Sequence, residues 1–311
     1  MKNNTVIFAK PPSNNISLED CEWFHIMDIP GLSEPTKGSF DLRKGVNDVL
    51  GNVDFKDKTV LHLGPSTGFL TFAAEKKGGD VTGIDLDINN RVKGPLDISN
   101  RDVIPRVDHN WQEEVNALMM RERKQRNAFW YAHKALNSKS KLILSHVNEL
   151  PANIGMYDIS LIFSVLVHIR DPFLALQKML SHTKEKIIIT ELGGHGRNKS
   201  LRKMVRNLFR KIMSPPPTPS MTFLPNEKKG PFGWWKFSPE IIINMAKILG
   251  FGKTSVNYHT QLDRSGNLVY FYTVVCERTV PIENCNYGYE PLSGNFNLYD
   301  PTNELKKKLS Y

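Results

Sequence analysis

The chain has 311 residues, enough for one large domain with extensions or for two small ones. With 40% hydrophobic and 23% charged residues it can bury a core of normal size, which excludes a wholly disordered chain. Its formal charge of +9 suits acidic partners, whether nucleic acid, phosphorylated or other anionic substrates, or anionic membrane surfaces, without choosing between them.

Three widely spaced cysteines, Cys21, Cys276 and Cys285, with no CxxC pair, argue against a disulfide framework and a thiolate zinc site. A reducing cytoplasm is the expected compartment. The apolar run at 6–9 is too short for a signal peptide. The longest apolar stretch, 159–167, falls far below the roughly 20 residues of a membrane helix, so no membrane span is expected.

Residues 1–20 are polar and Pro/Asn-rich and read as an arm. An aromatic lead-in, CEWFHIMDIPGLSEPTKGSFD (21–41), enters a short helical pattern at 42–50. The pattern then alternates. The segments 59–63, 81–86, 141–147, 158–168 and 186–192 read as strands, and 69–78, 112–136 and 171–182 as helices. Residues 88–112 lack periodicity. Near-continuous apolar strands alternating with helices predict an α/β fold, a doubly wound parallel sheet covered on both faces.

After the fifth strand the regularity stops. A basic helix is expected at 197–213, ended by SPPPTPS (214–220). Ser238-Pro239-Glu240 opens a helix closed by Gly250, and 268–276 is a strand rich in β-branched and aromatic residues. The implied organisation is an arm and lead-in (1–50), a main domain (51–280) with a cap inserted at about 193–237, and a C-terminal extension (281–311).

The strongest chemical signal is Val60-Leu61-His62-Leu63-Gly64-Pro65-Ser66-Thr67-Gly68, a strand running through a glycine-bearing turn into a helix. Doubly wound sheets bind ligands beyond the carboxyl ends of their strands. There Gly64 and Gly68 permit a tight turn and close approach, and the helix start offers free N–H groups. Asp85 lies about 20 residues on, where a carboxylate can accept both ribose hydroxyls. Ser66 stands where a dinucleotide fingerprint has its middle glycine, which disfavours a pyrophosphate and hence a dehydrogenase. A structural glycine turn is the plain alternative.

With these segments in order, WFHIMDIPG (23–31), GSFDLR (38–43), TVLHLGPSTGFLTFAAEKKG (59–78), VTGIDL (81–86), FWYAHKAL (129–136), VNELP (147–151), DISLIFSVLVHIRDPFLAL (158–176) and FGWWKFSPE (232–240), the chain resembles class I S-adenosylmethionine (SAM)-dependent methyltransferases over about residues 20–250. The tRNA wobble-uridine carboxymethyltransferases look like more distant relatives. The resemblance implies a Rossmann-like sheet with SAM as cofactor. Gly64, Pro65, Ser66 and Gly68 would pack against its methionine and ribose, Asp85 would hold the ribose diol, and Leu86 would lie against the adenine. His146, Val147 and Asn148 would flank the adenine edge, Ser164 would sit under the methionine moiety, and Phe40 and Arg43 would close over the cofactor. His62 replaces an acidic residue that is usual in this family, and His146 stands where Asp or Asn is common.

Methyl transfer from a sulfonium needs mainly alignment and exclusion of water, with a base when the acceptor is a hydroxyl. His168 is the first candidate base, against a plain role capping the strand end; Glu191 and His195 are the others, with a simple turn as the alternative for ELGGHG. Trp234 and Trp235, and His25 in the lead-in, are read either as walls of an acceptor pocket or as core. Asp171 is expected to cap a helix. The basic segment 197–211 reads as a solvated helix face or a phosphate- or RNA-binding strip. The expected activity is methyl transfer to an O or N of a small molecule such as a sugar or specialised metabolite. The rivals are a tRNA-modifying methyl or carboxymethyl transferase and a SAM-binding protein without catalysis.

Overall fold

The computed structural model describes residues 6–87, 111–151, 153–194, 218–224, 233–285 and 287. The five apolar segments form one side of an eight-stranded sheet, ending at β4. They are β2 (Thr59–Leu63), β3 (Asp80–Asp85), β4 (Lys141–Leu144), β5 (Tyr157–Phe163) and β6 (Thr183–Gly194), running parallel in the order β4-β3-β2-β5-β6. The chain builds outward from β2 through β3 to β4, then returns to β5 on the other side. This switch point leaves a crevice at the carboxyl ends of β2 and β5.

Beyond β6 the sheet turns antiparallel. β10 (Leu268–Glu277) pairs with β6 and with β9 (Lys253–Asp263), and β9 holds β1 (Phe40–Asp41) at its end. β9 has no counterpart among the sequence expectations. Its burial changes faces midway: Thr254 and Val256 are half-buried, then His259 and Gln261 turn inward and Tyr258 out. No single apolar stripe advertises the strand.

Helices cover both faces. α1 (Val46–Val49) and α2 (Phe69–Lys76) pack on one through Val49, Leu50, Leu70 and Ala74. On the other lie α4 (Pro172–Ser181) and α5 (Pro239–Ile248), through Leu176, Met179, Ile242 and Met245. α3 (Trp111–Ala135) packs Phe129 and Trp130 against Trp23, Met27 and Ile29 of the lead-in. Asp171 caps α4, its carboxylate accepting from Leu174 N at 2.9 Å.

Several expected boundaries move. The helix of 42–50 shrinks to α1, because Leu42 turns into the core as the chain leaves β1. The third and fourth strands stop at Leu144 and Phe163, and each gives way to a short 3-10 turn, Val147–Glu149 and Leu166–His168. The described part of the inserted cap is a two-stranded ribbon, β7 (Met221–Phe223) with β8 (Trp235–Phe237). The basic helix expected at 197–213 lies outside the described residues, as do 288–311 of the C-terminal extension. Among the described residues no helix is long and apolar enough to cross a membrane.

Candidate functional site

The turn after β2 is wound through three left-handed residues, Gly64 (φ +70°), Ser66 (φ +51°) and Gly68 (φ +89°). Ser66 thus holds a conformation that suits glycine, at a cost of order 1 kcal/mol, and its Oγ donates to Gln125 Oε1 of α3 at 3.2 Å. A Cβ on Gly64 would come within 2.5 Å of Val165 Cγ2. The two turns that flank the switch point therefore touch through a position that has no room for a side chain.

Between these turns and the ends of β3 and β4 lies a narrow slot of about 60 Å³. Its walls are apolar, with Ile84, Leu86, Val147 and Val165 among them. Gly64, Asp85, His146 and His168 also line it. A larger trough, about 680 Å³, runs between the arm at Pro11–Ile16 and the end of α3, beside Asn137 and Ser138. It sits at the amino end of β4, away from the switch point, and the slot is where the sequence motifs converge.

Asp85 accepts from Leu86 N at 2.9 Å through Oδ1, and its Oδ2 faces Arg126 Nη2 at 3.6 Å. Arg126 also donates to Leu86 O at 2.7 Å. Neither Gln125 nor Arg126 was among the expected site residues; both sit in a strongly charged helix where nothing in the local pattern marks them out. His146 accepts from Asn148 N at 3.2 Å, capping the turn at Val147–Glu149.

Polar atoms left without a hydrogen-bond partner gather at this end of the sheet. Among the described residues these are His25 Nε2, His62 Nε2, Asn148 Oδ1, Ser164 Oγ and both carboxyl oxygens of Glu191, with others on Arg126 and Glu240. Each such atom costs about 1–3 kcal/mol of desolvation. His62 lies next to the end of β2; Asn148 and Ser164 come after β4 and β5. Glu191 adjoins Thr190, which is paired with Phe163 at the end of β5.

Burial holds His62 neutral, its pKa down at about 3. His25 is likewise down at about 3, through burial and the nearness of His62. Glu191 is only 1% exposed, and burial pushes its carboxyl up to about 8. The Leu166 amide faces it and offsets the rise slightly, short of hydrogen-bonding geometry.

Ser164 has φ +49° and its N–H donates to Thr190 O, turning the chain sharply after β5 so that Val165 and His168 enter the slot. The β7–β8 ribbon grips the same turn. Trp234 N donates to Val167 O at 2.7 Å, and Trp235 Nε1 to Ile169 O and Arg170 O at 3.1 and 3.2 Å. Trp234 is 7% exposed and Trp235 half-buried, so both are seated beside His168 as packed aromatics.

Two residues expected to close over a cofactor have other partners here. Arg43 does not reach the slot: it is tied to Asp41 at 2.7 Å and Asp28 at 2.6 Å, which satisfy its guanidinium at the edge strand. Phe40 wedges between Phe24 and Phe271, filling the seam between the lead-in and β10. His25, by contrast, lies against the glycine turn, bonded to Thr67. His195 lies outside the described residues. Among the described residues no group of three or more His, Cys, Asp or Glu side chains is arranged to hold a metal ion.

The sequence matches no protein-family model and no curated protein. Solved structures of similar layout include magnesium protoporphyrin IX methyltransferase of Synechocystis PCC 6803 with bound S-adenosylhomocysteine (14% identity, 76% of this chain and 82% of that one, TM-score 0.42). A SAM-dependent methyltransferase of Methanosarcina mazei covers 75% of this chain and 97% of its own at 13% identity, TM-score 0.43. The N-terminal domain of EvdMO1 with S-adenosylhomocysteine bound covers 84% and 93% at 15% identity, TM-score 0.46. At this distance any functional reading stands on the chain's own site, the glycine turn, Asp85 and the unpartnered polar groups around them.

Proposed function

We propose that the chain is a SAM-dependent methyltransferase acting on an O or N of a small-molecule acceptor. One observation carries the reading: buried polar groups that lack partners are concentrated around a glycine turn at the switch point, next to a slot with a carboxylate at its rim. The fold bears that cost where a polar ligand repays it.

The residues fit the donor. The apolar slot takes a flat base, and Asp85 at its mouth takes a ribose diol, its carboxylate held in place by Leu86 N–H and Arg126. The left-handed turn at Gly64 and Ser66 brings Gly64 to the wall of the slot. Ser164 and His62 supply polar atoms for the remaining end. When bound, SAM supplies an activated methyl group. The chain aligns an acceptor, excludes water and takes up a proton. His168, in the slot, is the candidate base; Glu191, beneath the same turn, is the second, and because burial keeps it protonated below about pH 8 it would serve as a base only above that. The Trp234–Trp235 ribbon borders the acceptor side. The +9 charge favours an acceptor carrying negative charge.

Calorimetric titration with SAM, with NAD as control and Asp85→Ala alongside, tests the reading. Micromolar SAM binding that Asp85→Ala weakens, with no NAD binding, supports it. Absence of SAM binding by the intact chain removes it.

A further inference from the structure

His25 and His62 come from distant parts of the chain and end on one face of the sheet, beside the start of α2. Only 3% and 1% exposed, each ties its Nδ1 to a threonine of that start, His25 to Thr67 Oγ1 at 3.2 Å and His62 to Thr71 Oγ1 at 2.7 Å. The lead-in is held there closely. Thr36 Oγ1 donates to His25 O, and a Cβ on Gly38 would collide with the His25 backbone. The rings of Phe24, Phe69 and Phe163 surround His25 and keep water out.

Each threonine hydroxyl has a proton to give to the Nδ1 it faces. Thr67 Oγ1 also accepts from the His25 backbone N–H at 3.4 Å; with this hydroxyl donating to His25 Nδ1 and Thr71 Oγ1 to His62 Nδ1, both ring protons are on Nε2. Both Nε2 atoms are buried with no acceptor. The start of α2 adds free N–H groups: its N-cap is Gly68, without a side-chain cap, and its first turn has no acidic residue. In that tautomer the two rings are neutral N–H donors beside an uncapped helix start, a receptor for an anion.

We propose that His25 and His62 receive the carboxylate of the methyl donor's amino-acid end, seated at the start of α2. The inference rests on the SAM reading above. With the nucleoside at Asp85 and His146, beyond β3 and β4, the opposite end of the donor extends across Gly64 toward β2 and the lead-in, where the two imidazoles lie. Both nitrogens are sealed from solvent, so the proposed contact requires residues 23–27 to move away from Thr67. Binding at this end is thereby coupled to the lead-in.

The test compares S-adenosylhomocysteine with methylthioadenosine, which carries the same nucleoside thioether but no amino acid. By calorimetry the intact chain binds the former more tightly. His25→Phe and His62→Leu reduce that affinity about 10- to 100-fold, to the level of methylthioadenosine, and leave methylthioadenosine binding unchanged. His25→Gln, which restores an N–H donor, recovers part of the loss. Thermal melting establishes that each variant is folded; should His62→Leu not fold, Thr71→Val, which removes the hydroxyl paired with His62 Nδ1, takes its place with a loss in the same direction. If folded variants keep the full preference for S-adenosylhomocysteine, the pair is structural and the inference is overturned. If the intact chain binds neither compound, the SAM reading itself falls. Methylthioadenosine binding that depends on Asp85 keeps that reading standing whatever the histidines do.

Discussion

Arg126 of α3 reaches the end of β3 from 40 residues away, donating to Leu86 O at 2.7 Å while its Nη2 lies 3.6 Å from Asp85 Oδ2. Asp85 is thus oriented from two sides, by its own neighbour's N–H and by a guanidinium from a distant helix. A carboxylate held this way enters a hydrogen bond with little ordering left to do.

Asp85→Ala is expected to weaken SAM binding about 10- to 100-fold, the usual worth of hydrogen bonds to a charged group. Arg126→Gln acts only through the orientation of Asp85 and has the smaller effect, below about 10-fold. Calorimetric titration of the two variants gives the order directly, and an equal or larger loss for Arg126→Gln would mean that the arginine itself touches the ligand.

Gly64→Ala combines a left-handed backbone with a clash against Val165 Cγ2. A loss of roughly 1–3 kcal/mol is expected from the strain alone, read as a lower urea midpoint. Donor affinity falls with it, because Val165 must move and Val165 is a wall of the slot.

Stability should peak near neutral to mildly acidic pH. His25 and His62 are lowered from 6.5 to about 3, so the unfolded chain takes up protons that the fold refuses, and stability falls as pH drops below about 6.5. His182 and His259, also lowered by burial, act in the same direction. Glu191 is raised from 4.5 to about 8, so the fold holds a proton that the unfolded chain gives up, and stability falls as pH rises toward 8. Its limb is worth about 1.4 kcal/mol per pH unit. Urea unfolding from pH 4 to 9 measures the profile; Glu191→Gln should flatten the alkaline limb, and a limb left unchanged would assign it to other groups.

Trp235→Phe removes the indole N–H that reaches Ile169 O and Arg170 O. The cost is about 1 kcal/mol, and it falls on the β7–β8 ribbon. Limited proteolysis should cut near residues 218–237 sooner, and SAM affinity should fall only slightly, since Ile169 lines the slot but keeps its side chain there.

Much of the fold was legible because buried parallel strands are apolar along their whole length. The segments at 59–63 and 158–163 could hardly be read otherwise. Strand ends were less legible: Ser145 and Ser164–Val167 continue an apolar or β-prone run, and only the left-handed turn at Ser164 ends β5. β9 escaped because its two halves bury opposite faces, so its composition reads as mixed.

The sequence by itself determined the alternation of strands and helices, the glycine turn after β2 and the carboxylate at the end of β3. These arise from periodicity and from conformations that few residues tolerate, and both are local. Only the tertiary structure decided which polar groups meet. His25 joins Thr67 across 42 residues and Arg126 joins Leu86 across 40, while Arg43 is drawn away to Asp28 and Asp41. Such pairings depend on how the lead-in and α3 pack against the sheet, and a buried histidine looks no different in sequence from an exposed one until that packing removes its water.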